Sequence, residues 1–351
     1  MTSNDRCPFK VGQFTSGKLD AITDVAGVSV GHHTLDAQGI QTGVTVVRAH
    51  PGSHYLNKVP AGATVINGFG KSVGLLQLDE LGVLETPIAL TNTFSVSAVV
   101  QAQIQQAVAS HPEIGRAWPT VNPLVFECND GYLNDIQAMR VEATHYHQAF
   151  AQTSAWFEQG AVGAGRGMSC FGLKGGVGSA SRLVPVAGST YTVGALVLSN
   201  FGKLQNLSWL GQPLGQTLSQ RLQVPQPHSP EKGSIIMLLA TDAPLDARQL
   251  RRLSARAGVG LARTGSFFGH GSGDIALAFS TAYTIPALVH EPMPTPMLVH
   301  EQQLDGLFEA AADTIEQSIM SSLWCAQSVV GRDGHQRQAL RAVHHFTSGG
   351  Q

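Results

Sequence analysis

Residues 232–240 read KGSIIMLLA, and from Ile235 to Ala240 every position is apolar. A strand with one wet face alternates apolar and polar residues. An unbroken run predicts a strand buried on both faces, which needs a layer of structure on each side. Downstream, 246–261 carries Leu250, Leu253, Ala257 and Leu261 at helical spacing, and 276–279 reads as a strand. In 304–323, residues Leu304, Leu307, Phe308, Ala311, Ile315 and Ile319 fall on one helical face, which predicts an amphipathic helix. Upstream, 22–30, 43–47, 63–66, 87–90, 124–127 and 192–199 read as strands, and 95–110 and 134–150 as helices. Residues 211–230, rich in Gln and Pro, read as a loop. This alternation makes the class α/β, or α+β in layers.

The 351 residues suffice for one large domain or two ordinary ones. No internal repeat or low-complexity tract divides them, and 1–351 is read as a single domain. Hydrophobic residues make up 43% and charged residues 13%, with 39 glycines, which points to a large core and many tight turns. The net charge of 22 − 24 = −2 offers no electrostatic case for nucleic acid. No apolar run reaches the length of a membrane span. The polar start MTSNDRCPFK has no apolar signal region. Cys7, Cys128, Cys170 and Cys325 are scattered without a C-x-x-C pair, and are read as reduced thiols of a cytoplasmic protein.

Four stretches carry candidate chemistry. The first is Gly233-Ser234 at the mouth of the apolar strand. A hydroxyl there can attack the preceding carbonyl in an N→O acyl shift. Hydrolysis of the ester then leaves Ser234 as a new N-terminus. Its amine, with an ordinary pKa of roughly 7.7–8.0, would serve as base beside its own hydroxyl. Taken alone, Gly-Ser before a strand is also an ordinary turn. The second is Gly269-His270-Gly271-Ser272-Gly273-Asp274, where Ser272 and Asp274 form a candidate proton-handling pair, or a polar turn. The third is FECNDGYLND at 126–135, whose Glu127 is a candidate for a substrate ammonium group. The fourth, GAGRGMSCFGLKGGVGSASR at 163–182, is glycine-rich but lacks the spacing of a phosphate-binding loop, and GFGKS at 68–72 fails the same test. The 14 histidines show no metal-ligand spacing.

Together these segments resemble the L-aminopeptidase D-esterase/amidase (DmpA-like) family, which includes the β-peptidyl aminopeptidases. The matching text is GVTVV at 43–47, INGFGKS at 66–72, LTNTFSV at 90–96, FECNDGYLND at 126–135 and GAVGAGRGMSCFGLKGGVGSASR at 160–182. It continues with GALVLSNFG at 194–202, GSIIMLLATDAPL at 233–245 and LARTGSFFGHGSGDIALAFST at 261–281. The resemblance implies an αββα sandwich like that of N-terminal-nucleophile hydrolases, with its own connectivity. It implies self-cleavage at Gly233–Ser234 into an α chain 1–233 and a β chain 234–351. Ser234 would be the nucleophile, Ser272 and Asp274 its supporting pair, and Asn200 part of the oxyanion hole. Glu127 would hold the substrate's free amino group. Asn129 stands where some members carry an aromatic side chain, which bears on the pocket. The implied activity is release of N-terminal residues, sometimes D- or β-residues, from small peptides, amides and esters. It needs no metal or organic cofactor. The implied assembly is a homotetramer of αβ pairs, with no nucleic-acid or membrane partner. An ornithine acetyltransferase-like activity on the same fold is the alternative, and an inactive ligand-binding member is a third reading.

Overall fold

The structure, a computed structural model, describes residues 6–223 and 232–346. Its main strands are β1 (Ser29–Ala37), β2 (Ile40–Arg48), β3 (Asn57–Gly68), β4 (Ile88–Asn92), β5 (Leu124–Cys128), β6 (Gly176–Val186), β7 (Ser189–Asn200), β8 (Lys232–Thr241) and β9 (Gly271–Ser280). The helices that matter below are α1 (Leu75–Leu81), α2 (Val96–Ser110), α3 (Ala143–Ala151), α4 (Leu214–Arg221), α5 (Ala247–Ala255), α6 (Ala257–Arg263) and α7 (Asp305–Trp324). Strands β1-β2-β4-β5 form a four-stranded sheet. A seven-stranded sheet runs β3-β9-β8-β7-β6, with the two-residue strands Val83–Leu84 and Ile285–Pro286 paired to β3. Within it β8 and β9 are parallel and their outer neighbours antiparallel.

Alternation along β8 produces the layering. Ile235, Met237 and Leu239 pack with Leu250, Leu253, Leu261 and Ile319 of the helices. Ile236, Leu238 and Ala240 pack with Val47, Leu90 and Phe126 of the smaller sheet. The far side of that sheet, Val44, Val46, Ala89 and Val125, is covered by Val99 and Ala102 of α2 and Tyr146 and Ala149 of α3. The order is therefore helix, sheet, sheet, helix, as the resemblance implied. The five large apolar side chains on β8, Ile235 to Leu239, at about 1.5–3 kcal/mol each for full burial, represent roughly 10 kcal/mol. That equals the net stability of a typical domain. The larger sheet also interleaves the chain: β8 pairs with β7, and β9 pairs with β3. A cut before β8 would leave both pieces in one sheet and one core.

Several elements differ from the sequence expectation. The helix expected over 134–150 is only α3. Asn134 turns its side chain inward to Asp130 and Gln41, and Met139 takes φ +45°, so the preceding segment forms turns. Residues 22–24 form a 3-10 turn braced by Asp24, and β1 begins at Ser29. The expected loop at 211–230 contains α4, while 224–231 lie outside the described residues. The helix expected over 246–261 is two helices meeting at Arg256.

The amphipathic reading of α7 was too simple. Its apolar face does meet the core, but its polar residues from Asp313 to Ser322 are buried as well. Gln317 accepts from Val11 N–H and from Arg182, and donates to Asp20 Oδ2 at 2.5 Å. The segment before β1, through Val11 and Asp20, thus covers a face that looked solvent-exposed. Among the described residues, no helix is long and apolar enough to cross a membrane.

Candidate active site

Strand register assembles the site. Asn200, the last residue of β7, stands opposite Ser234 on β8, and Ser234 stands opposite Gly273 on β9. Gly233 stands opposite Ser272 and Ile235 opposite Asp274. Four of the predicted residues thus gather at one end of the larger sheet, although up to 74 positions separate them in the chain (274 − 200).

Ser234 is buried, and its Oγ donates to the carbonyl oxygen of Gly233 at 2.7 Å. The hydroxyl therefore lies on the carbonyl it would attack in self-cleavage. Gly233 does not take a positive φ. Its small size is required by packing, because a Cβ there would come within 2.5 Å of the Asn200 carbonyl oxygen and 2.8 Å of Phe201 Cα. Glycine at 273 has a related cause. A Cβ would meet Phe69 O at 2.8 Å and Ser234 Oγ at 3.2 Å, so this glycine leaves space beside the hydroxyl.

Ser272 and Asp274 are both buried, and Ser272 Oγ donates to Asp274 Oδ1 at 2.5 Å. In the intact chain this pair is coupled internally, while Ser234 is coupled to Gly233. The bulge in β3 between its pairings with Asp274 and Ile275 falls at the same level. Bulges at sheet ends re-aim side chains locally.

Asn200 is fixed by two backbone groups. Its Oδ1 accepts from Ser169 N–H at 2.8 Å, and its Nδ2 donates to the Asn129 carbonyl at 2.9 Å. An N–H can only donate and a carbonyl can only accept, so these partners determine which way the amide faces. One Nδ2 hydrogen is used by Asn129. That leaves a second N–H on the same amide group.

Glu127 closes the other side. It is buried at the end of β5, with Oε1 accepting from Lys71 N–H at 2.8 Å and Oε2 accepting from the Thr93 hydroxyl. The turn Phe69-Gly70-Lys71 lies between it and the end of the sheet that holds Ser234 and Gly273. A Cβ on Gly70 would be 3.6 Å from Glu127 Oε1 and 3.9 Å from Gly273 Cα. Sequence reasoning set GFGKS aside as a failed phosphate loop. Its actual part is to give a backbone N–H to Glu127, a contact that no side-chain motif announces.

Asn129 enters differently from the expectation. Its side chain is exposed and closes its own turn, Oδ1 accepting from Gly131 N–H at 2.9 Å. What it offers the site is its main-chain carbonyl, to Asn200. Two residues were missed altogether. Lys174 is fully buried with Nζ donating to the carbonyls of Gly165, Met168 and Gly175 at 2.7–2.9 Å, and burial drives its pKa well below the ordinary value. Asp130 is also buried, and burial pushes its carboxyl up to about 7, against hydrogen bonds that favour the charged form. The glycines around Lys174 serve close packing: a Cβ on Gly175 would lie 2.6 Å from Ser199 O, and one on Gly165 2.6 Å from Val177 N.

Several histidines sit in packing contacts. His32 is half-buried between Thr45 and the Glu158 carbonyl, and desolvation pushes it down to about 4. His33 stacks on His145 at 5.0 Å.

Residues 20–337 match peptidase family S58. The chain is 38% identical to beta-peptidyl aminopeptidase BapA of Sphingosinicella microcystinivorans, over 92% of this chain and 86% of that protein. Among solved structures, the PH0078 protein of Pyrococcus horikoshii OT3 superposes with TM-score 0.89 at 48% identity, covering 94% of each chain. The L-aminopeptidase D-Ala-esterase/amidase of Ochrobactrum anthropi superposes with TM-score 0.87 at 33% identity, covering 97% of this chain and 96% of that one. That enzyme is described as a prototype of the serine aminopeptidases and a new variant of the Ntn hydrolase fold. With the four-layer fold and a buried serine at the mouth of a central strand, these likenesses lead to one conclusion: the chain belongs to peptidase family S58 and is an aminopeptidase, a hydrolase on a variant of the Ntn fold.

Proposed function

We propose that the chain cuts itself between Gly233 and Ser234 and then uses Ser234 as an N-terminal nucleophile. The observation that carries this reading is Ser234 Oγ resting on the Gly233 carbonyl within a buried row that also holds Asn200 and Gly273. Attack of Oγ on the Gly233 carbonyl carbon breaks the peptide C–N bond, and the hydroxyl proton passes to the departing nitrogen. Water then hydrolyses the ester, giving the Gly233 carboxylate and the free Ser234 amine. The pieces 1–233 and 234–351 remain one domain through the shared sheet.

In the processed enzyme the amine takes the Ser234 proton as Oγ attacks a substrate carbonyl. The Ser272–Asp274 pair, one strand away, orients hydroxyl and amine. Asn200 donates to the oxyanion. The leaving amine takes the proton back, and water releases the acyl group. Glu127 binds the substrate ammonium group, which limits cleavage to the first residue. Substrates are small peptides, amides or esters with a free amino terminus. The relative named for β-peptides makes β-alanyl compounds the first to try beside L- and D-alanyl p-nitroanilides. No metal or organic cofactor takes part in these steps. The reading extends to a cytoplasmic protein, which fractionation of cells would test.

The Glu127→Gln variant tests the amine site. Losing a charge-assisted contact of about 1.5–3 kcal/mol should lower kcat/KM on an alanyl p-nitroanilide by about 10- to 100-fold, mostly through KM. Processing should be unaffected, because the cut site has no free amine to bind. Equal kcat/KM in the two proteins would remove Glu127 from this role.

Self-association as a tetramer of αβ pairs is also proposed. The irregular segment after β9 leaves Val289, Met293 and Met297 exposed, an apolar surface that a second copy would cover. Light scattering should report four times the mass of one chain, and a monomer at micromolar concentration would refute it.

A further inference from the structure

The two hydrogen bonds that hold the Asn200 amide come from two separate segments. Ser169 N–H belongs to the glycine-rich loop, and the Asn129 carbonyl belongs to the turn after β5. Both segments meet at Asp130. Asp130 follows Asn129 directly, and its carbonyl caps the turn by accepting from Leu133 and Asn134 N–H. Its Oδ1 accepts from Asn134 Nδ2 at 3.0 Å, and Asn134 Oδ1 in turn accepts from Gln41 N–H at 3.1 Å, tying the turn to β2. On the other side Asp130 lies against Gly167, where a Cβ would stand 2.7 Å from Asp130 Cβ. Gly167 is two residues before Ser169, within the stretch that Lys174 pins through Gly165 and Met168.

We propose that Asp130 is a positioning residue for the reaction, wedged between the two segments that orient Asn200 and acting on the oxyanion donor through the Asn129 carbonyl. The proposal rests on the oxyanion role of Asn200. Asp130 itself touches no reacting atom. The groups around its carboxyl are Thr42 and Asn92 of the smaller sheet, Asn134 of its own turn, Cys128 on the strand before it, and the ammonium of Lys174, which feels its charge. Its other oxygen, Oδ2, is buried and has no hydrogen-bond partner among the described residues. With the carboxyl pushed up to about 7, the neutral acid is the form held in mildly acid solution, and asparagine imitates it closely.

The test is a double-mutant cycle in the full-length, processed enzyme, read as kcat and KM on an alanyl p-nitroanilide and an alanyl ester. Asp130→Ala should lower kcat by about tenfold with KM within about twofold, since Glu127 and its partners are untouched, and Asp130→Asn should recover most of that loss. In an Asn200→Ala background, Asp130→Ala should cost less than about twofold more, because the donor it positions is gone. An unchanged kcat in Asp130→Ala, an equal tenfold loss with or without Asn200, or a loss carried by KM would each overturn the proposal. Should either alanine variant fail to fold or process, Asp130→Asn decides: kcat within about threefold of wild type at unchanged KM supports the role, and a larger fall overturns it. Wild-type turnover in Asn200→Ala alone would instead refute the oxyanion reading, so the two failures are distinguishable.

Discussion

Ser234→Ala is expected to migrate on a denaturing gel as one chain of 351 residues, where the wild type gives pieces of 233 and 118 (351 − 233). Activity should fall by at least about 10⁴-fold, the scale seen when a nucleophile is removed from a serine enzyme. Both effects have one cause. The hydroxyl that lies on the Gly233 carbonyl is the only atom of Ser234 that alanine lacks. Folding should be little changed, because the six apolar residues after it hold β8 in both cores. A thermal melt run beside the gel separates a folded, uncut variant from a misfolded one. N-terminal sequencing of the smaller wild-type piece should begin at Ser234. A wild-type enzyme that is fully active as one intact chain would sink the mechanism.

Asn200→Ala should cost about 10²- to 10³-fold in kcat, equivalent to about 2.7–4 kcal/mol, with KM nearly unchanged. The donor counts in the transition state, where charge gathers on the substrate oxygen, and hardly in the bound ground state. The variant also leaves Ser169 N–H and the Asn129 carbonyl without their side-chain partner. Some loss of stability, of order 1–3 kcal/mol, should accompany the kinetic defect. Asn200→Asp discriminates between the two effects. It still accepts from Ser169 but offers no N–H, so a kcat as low as that of alanine would assign the loss to the missing donor. Wild-type kcat in Asn200→Asp would exclude Asn200 from the oxyanion hole.

Residues 234–240 determined most of the architecture by themselves. Six consecutive apolar side chains can only lie between two apolar layers, and that condition selects a sandwich. The proposed site residues Ser234, Ser272, Asp274, Asn200 and Glu127 could be picked out only through the resemblance of the segments that hold them to the DmpA-like family, since Gly-Ser before a strand and Ser-x-Asp in a glycine-rich stretch are, taken alone, ordinary turns. What sequence could not show was how they meet. Pairing of β7, β8 and β9 is a long-range choice, and a slip of one residue would move Ser234 away from Asn200 and Gly273. Lys71 was invisible because it contributes a main-chain N–H, and Asn129 was singled out for its side chain although the atom that reaches Asn200 is its carbonyl oxygen. Asp130 was not singled out within FECNDGYLND, nor Lys174 within a glycine-rich stretch. Only the tertiary structure buries both and turns them toward the two segments that hold Asn200, because desolvation and close backbone approach belong to the packed chain and leave no periodicity in its sequence.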